Sequence, residues 1–266
     1  MKTLRDTGSR QRQGWLDQLP PGFTPGEVRE RFGLTLNVAC HLCREWKQAG
    51  RLRQAGRGFY VRLDGRPATL PLVMHRAAAS CPGGYFTGAY ALARHRLLLE
   101  DPPRVDVVVP DRPGPDLAWD GFAIRRLRLG LAAFTAGLET HRDGGREIAL
   151  AGPERILVDA LSHPGKILPI EQTARLFRER KTKLRQARLL DLVVRLGSEA
   201  VFRRMRVMAE HAGMVRLGRW LAEEGGIRPA MGRTRLDPAA PVPPGAPVRF
   251  GVIVNVPLDG AGPGAS

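Results

Sequence analysis

Residues 24–63 constrain the fold of this 266-residue chain more than any other stretch. Thr24-Pro25-Gly26-Glu27 opens a short amphipathic helix: the Thr24 hydroxyl can accept from an orphan N–H of the first turn, and Pro25 occupies a position where its missing donor costs nothing. Gly33 in Phe32-Gly33-Leu34-Thr35 suits the helix end, and Thr35 caps a second helix that runs through Gly50. Arg51-Leu52-Arg53-Gln54-Ala55-Gly56-Arg57-Gly58-Phe59-Tyr60-Val61-Arg62 then reads as two short strands around a glycine-punctuated tip. Helix, turn, helix and basic hairpin is the order of a winged helix-turn-helix, so the expected class is α+β. Residues 1–66 form the winged module and residues 67–258 a larger mixed domain with a small β-sheet and a C-terminal group of helices.

The second helix has two chemical faces. Ala39, Cys43 and Trp46 recur at steps of four and three and are expected to pack on Val28, Phe32 and Trp15. The opposite face carries Asn37, His41 and Arg44. Asn pairs with adenine and Arg with guanine at their major-groove edges, and a helix of this size fits that groove. Thr35 sits at the start of this helix, and Lys47, Arg53 and Arg57 are placed to reach phosphates. The bland alternative is that any three-helix domain needs such apolar faces, and that some winged helices bind only proteins.

Charge points the same way. The formal net charge is +16, which favours a polyanionic partner. Its placement matters more. Residues 1–66 hold 13 Lys/Arg against six acids, a net of +7, and residues 175–206 hold 11 against three, a net of +8. In the second segment Arg175, Arg178, Lys181, Arg185 and Arg188 recur at helical steps. They read either as a solvated face or as a second strip contacting phosphates.

Other features narrow the function classes. No apolar run approaches the roughly 20 residues needed to span a bilayer, and Met1-Lys2-Thr3-Leu4-Arg5-Asp6 lacks a signal-peptide hydrophobic segment, so a cytoplasmic location and no membrane partner are expected. Cys40, Cys43 and Cys81 are an odd count that argues against a disulfide scaffold. Cys40-His41-Leu42-Cys43 resembles half of a zinc knuckle, but a structural zinc needs four ligands and no second close pair exists. His75, His95, His141, His163 and His211 show no ligand spacing. No metal, cofactor or catalytic residue is therefore assigned.

Beyond Gly65-Arg66-Pro67, read as a linker, helices are expected from Leu70 to Ala79 and from a Thr87 cap to about Leu98. Strands follow at Arg104–Val109, Phe122–Leu129 and Arg146–Leu150. Helices then run from Pro153 to Ser162 and, in three or four segments, from Pro169 to about Glu224. Residues 228–247 read as a Pro/Gly-rich loop, Val248–Val256 as a late strand joining the sheet from a distance, and 259–266 as a disordered tail.

Three strings carry a family resemblance. Gly84-Tyr85-Phe86-Thr87-Gly88-Ala89-Tyr90-Ala91-Leu92 precedes the Val-rich strand ending Val109-Pro110, and Ala151-Gly152-Pro153-Glu154-Arg155-Ile156-Leu157-Val158-Asp159-Ala160-Leu161 follows. Leu196-Gly197-Ser198-Glu199-Ala200-Val201-Phe202-Arg203-Arg204-Met205 comes last. Together with the amino-terminal module, over about residues 10 to 225, this resembles the AbiEi-type antitoxins of type IV toxin–antitoxin systems. The Pro-Glu-Arg…Asp string is its sharpest part.

The resemblance implies a transcriptional repressor that controls its own operon through the winged helix, on operator DNA with inverted repeats. It also implies an antitoxin domain directed against a nucleotidyltransferase-like toxin without a stable complex. Residues 35–47 would read bases, and Arg53 and Arg57 would belong to the wing. The chain departs from the family in the 228–247 segment and the late strand. Two other readings differ in class. A ligand-responsive transcription factor would need an apolar pocket with convergent polar groups. A metal-dependent nuclease would use carboxylates such as Asp111 and Glu179 with Lys181, on adjacent strands; here the second element falls in a helix, and an enzyme is not expected.

Overall fold

The computed structural model describes residues 14–56, 58–63, 69–98, 102–111, 114–119, 121–129, 134–143, 146–225 and 232–258. Their contacts separate into two compact units. One comprises the described residues up to Pro82 with 117–124 and 143–146; the other comprises 83–116, 125–142 and the described residues from Glu147 onward. Gly65-Arg66-Pro67, Arg57 and the tail from Asp259 lie outside the described residues.

In the first unit, residues 14–17 are helical. Strand β1 (Gly22–Phe23), helix α1 (Pro25–Phe32), helix α2 (Leu36–Gln48) and strands β2 (Leu52–Gly56) and β3 (Phe59–Arg62) follow. A reciprocal capping box starts α1. Glu27 N donates to Thr24 Oγ1 at 3.3 Å and Thr24 N donates to Glu27 Oε2 at 2.8 Å, which satisfies two orphan donors at once. Gly33, left-handed at φ 64°, ends it, and Val38 N donates to Thr35 Oγ1 at 3.4 Å to begin α2.

The strands form an antiparallel sheet in the order β1-β3-β2. Phe23, Val28, Ala39, Leu42, Cys43, Trp46, Leu52 and Tyr60 form the buried cluster beneath it, with Trp15, Phe32 and Leu34 packed around its edge. Trp15 stacks on Phe32 with centroids 4.8 Å apart. Helix α3 (Leu70–Ser80) matches the expected segment. Its His75 Nε2 lies 2.7 Å from Glu27 Oε1, so the carboxylate that caps α1 also ties α3 to it. Strands β6 (Leu117–Trp119) and β7 (Phe122–Leu127) pair as a hairpin through Leu117↔Ile124 and Ala118↔Ala123.

The second unit begins with β4 (Tyr85–Thr87), a strand where the sequence suggested only a helix cap, and α4 (Gly88–Arg94), which ends earlier than the expected Leu98. Thr87 is the N-cap by position, but its hydroxyl donates to Asp159 Oδ2 at 3.5 Å and does not cap the helix. Strand β5 (Arg104–Val108) pairs antiparallel with β4, and β9 (Arg146–Ala151) pairs parallel with β4 through Phe86↔Leu150. The sheet order continues from β9 to β8 (Leu138–Asp143). Helices α5 (Pro153–Ser162), α6 (Ile170–Arg180), α7 (Gln186–Leu196), α8 (Glu199–His211) and α9 (Val215–Gly225) complete the C-terminal helical group, with a 3-10 turn at Lys181–Lys183.

The late strand is a correction. Residues 248–256 do not join the larger sheet. They fold back as β11 (Val248–Arg249) and β12 (Val252–Ile253), and β10 (Thr234–Arg235), inside the expected loop, adds in parallel to give a separate sheet of order β10-β12-β11. The two turn residues, Phe250 and Gly251, have φ of 50° and 73°, the double positive φ of a tight hairpin turn. Asn255 Nδ2 donates to the carbonyls of Asp237 (2.7 Å) and Ala240 (3.0 Å), which gives the Pro-rich segment an organising side chain. The molecule is thus α+β, with small sheets and a helical C-terminal part. Among the described residues no helix is long and apolar enough to cross a membrane.

Candidate nucleic-acid interface

Helix α2 is pinned through one face. Ala39, Leu42, Cys43 and Trp46 are buried, one residue more than the expected stripe. That pinning leaves Asn37, His41 and Arg44 exposed, together with Gln48, which continues the same stripe one turn further on. Gln48 adds to the stripe expected from sequence, at a four-residue step from Arg44, and Gln is a side chain that can pair bidentately with adenine as Asn does. Leu36 and Val38 flank the start of the stripe at 49% and 45% exposure. They are apolar groups of the kind that contact a thymine methyl.

The electrostatics of this face are cationic. Glu45 is the acidic residue of α2, and its Oε1 lies 3.2 Å from His41 Nε2. Arg44 has no ion pair among the described residues. Lys47 Nζ donates to Gln54 Oε1 at 2.9 Å, which ties the end of α2 to β2. Lys47, Gly50, Leu52, Arg53, Gln54, Gly56 and Leu63 line an open concavity of about 660 Å³. Thr35 is an N-cap, so its hydroxyl already accepts a helix N–H.

The Cys40-x-x-Cys43 pair lies on uninterrupted helix with Cys43 buried and Cys40 half-buried. Burial, aided by Cys40, pushes the Cys43 thiol up to about 12, which leaves it a protonated packing group instead of a thiolate ligand.

The second basic segment is differently engaged. Arg175 Nε donates to both Glu179 carboxylate oxygens at 3.1 Å. Lys181 Nζ donates to Ala212 O at 3.4 Å. Arg185 and Arg188 share two carboxylates: Arg188 donates to Glu139 Oε1 at 3.3 Å, Arg185 N donates to buried Glu154 Oε1 at 2.8 Å, and Arg185 Nε lies 3.7 Å from that oxygen. Arg178, on α6, is exposed. Arg203 pairs with Glu199. Arg204 is buried and donates to the carbonyls of Leu161 and Arg235, both at 2.9 Å, which joins α8 to α5 and β10. Much of this charge therefore holds the helical group together. The nuclease-like elements fare similarly, with Glu179 occupied by Arg175 on a helix and Lys181 by a carbonyl.

The Pro-Glu-Arg…Asp string builds the buried polar centre of the second unit. Arg155 and Asp159, both 0% exposed, pair at 2.8 Å one helical turn apart. Arg155 also donates to Tyr85 Oη at 2.7 Å and to the carbonyl of Ala136, while Tyr85 Oη donates to Asp159 Oδ2 at 3.0 Å. Burial raises Asp159 above its ordinary carboxylate range, against the opposing pull of Arg155 and of the donors Tyr85 and Thr87.

No family model matches the chain, and no curated protein does. In fold the chain is similar to the crystal structure of the RV2827C protein from Mycobacterium tuberculosis. The TM-score is 0.62 at 19% identity, over 92% of this chain and 89% of that one.

Proposed function

We propose that the chain is a DNA-binding repressor whose first unit works as a winged helix-turn-helix, with α2 as the recognition helix and the β2–β3 hairpin as the wing. The observation that carries this reading is the exposed stripe Asn37–His41–Arg44–Gln48 on a helix whose opposite face is fully committed to the core. The side chains are those that read base edges, and Lys47 and Arg53 border the stripe as phosphate contacts. The +7 net charge of residues 1–66 supplies the sequence-independent attraction.

On the resemblance to AbiEi-type proteins, the second unit serves as the antitoxin part against a nucleotidyltransferase-like toxin, and the target of the first is the chain's own promoter region. The buried Arg155–Asp159–Tyr85 network gives the Pro-Glu-Arg…Asp string, the sharpest part of that resemblance, a structural role in the second unit. A gel-shift titration tests the reading: the full chain is expected to retard DNA from upstream of its own gene and to leave scrambled DNA of equal length unshifted at the same salt. Equal retardation of both would reduce the activity to charge alone.

A further inference from the structure

We propose that His95, Glu139 and His141 form a binding site for a divalent d-block cation, Zn²⁺ in the first instance. His95 is the residue just past α4, and Glu139 and His141 stand two apart on β8, hence on one face of that strand. One nitrogen of each imidazole and one carboxylate oxygen lie within 4.8 Å of one another. Around a tetrahedral Zn²⁺ with bonds of about 2.0–2.2 Å the ligand atoms stand roughly 3.4 Å apart.

Three details of the surroundings favour a cation. His95 Nε2 lies 2.9 Å from Ala151 O and donates to it. The tautomer so fixed leaves Nδ1 with its lone pair, and a backbone carbonyl on the second nitrogen is the usual outer partner of a metal-ligating imidazole. Glu139 Oε1 lies 3.3 Å from Arg188 and 3.8 Å from Arg185, which fixes the carboxylate beside the two imidazoles. Both arginines also reach Glu154, at 3.7 and 3.9 Å, so these two cations are balanced by two carboxylates.

Gly152 completes the cradle. A Cβ there would stand 2.9 Å from Glu139 Oε1, so the missing side chain is what lets the carboxylate lie against the backbone. Two imidazoles and one carboxylate are the borderline donor set that suits Zn²⁺, with a fourth position left for water. Sequence spacing hid the set, because the two histidines come from a helix end and a strand far apart in the chain.

The test is calorimetric titration of the chelator-treated full chain with zinc sulfate, paired with the absorption spectrum of the Co²⁺-loaded unmodified chain. The expected result is one Zn²⁺ per chain, with affinity weakened by at least about tenfold in His141→Ala and in Glu139→Gln and unchanged in Cys40→Ser. The Co²⁺ spectrum is expected to show d–d bands without thiolate charge transfer. Absence of binding, binding unaltered in His141→Ala, or a thiolate band that Cys40→Ser removes would overturn the site. Glu139→Gln, which keeps the shape of the side chain, supplies the reading where His141→Ala fails to fold.

Discussion

Arg155 and Asp159 show how one buried pair sets the terms for its neighbours. With both side chains fully enclosed, the attraction between them must offset the loss of water around two charges, and the donors of Tyr85 and the carbonyl of Ala136 occupy what the pair leaves open. Removing one partner strands the other. Arg155→Met is therefore expected to lower unfolding free energy by about 3–5 kcal/mol, whereas Arg155→Met with Asp159→Leu regains much of that loss. Urea denaturation of both variants checks it; equal loss in both would mean that packing volume, not charge, governs the site.

His163, the C-cap of α5, makes stability depend on pH. Burial, with Lys166 and Arg204 nearby, holds its imidazole below the ordinary value of 6.5. The folded chain thus stays neutral at this position while the unfolded chain takes up a proton as pH falls below that value. Stability from this residue is full above pH 6.5 and is lost as pH falls toward the depressed folded value. His163→Gln is expected to flatten the decline in melting temperature over that window, and an unchanged slope would assign the acid sensitivity elsewhere.

At the scale of elements, α2 couples folding to its proposed use. The same four buried side chains that hold it in the first unit fix which residues turn outward, so Arg44→Ala is expected to leave melting almost unchanged. It should lower discrimination at one guanine by about 1–3 kcal/mol, measured as the change in affinity between matched and mismatched sites. Arg53→Ala, on strand β2 of the hairpin, is expected to weaken all sequences alike. It should flatten the dependence of log affinity on log salt by about 0.9, and a sequence-selective loss would move Arg53 from phosphate to base contact.

Elements also show what the sequence made legible. Thr24, Pro25, Gly33 and Thr35 act within a few residues, so the limits of α1 and α2 could be read from local hydrogen-bonding needs. Ala39, Cys43 and Trp46 followed from periodicity. The strand β4 did not, because Tyr85-Phe86-Thr87 is too short for alternation to register and is defined by its partners β5 and β9. The stretch 248–256 alternates like one strand, yet Phe250-Gly251 is a turn, and the antiparallel pairing of β11 with β12 reveals it. Histidine spacing likewise could not bring His95 to His141. Contacts of long sequence separation leave no local pattern.

For the molecule as a whole, the distribution of charge matters more than its sum. Of the 11 Lys/Arg in residues 175–206, Arg175, Lys181, Arg185, Arg188, Arg203 and Arg204 are engaged by Glu179, Glu139, Glu154 and Glu199 or by carbonyls. The +7 of residues 1–66 includes Arg44 and Lys47, both exposed on α2. Neutralising Arg185 is accordingly expected to cost stability more than DNA affinity, and neutralising Lys47 the reverse. The most direct test of the central claim is the affinity ratio, by fluorescence anisotropy at fixed salt, between upstream promoter DNA and scrambled DNA for the parent and for Asn37→Ala/Arg44→Ala. The α2 assignment predicts a ratio well above one in the parent that collapses toward one in the variant while its melting temperature is kept. A ratio that survives the double substitution would contradict it.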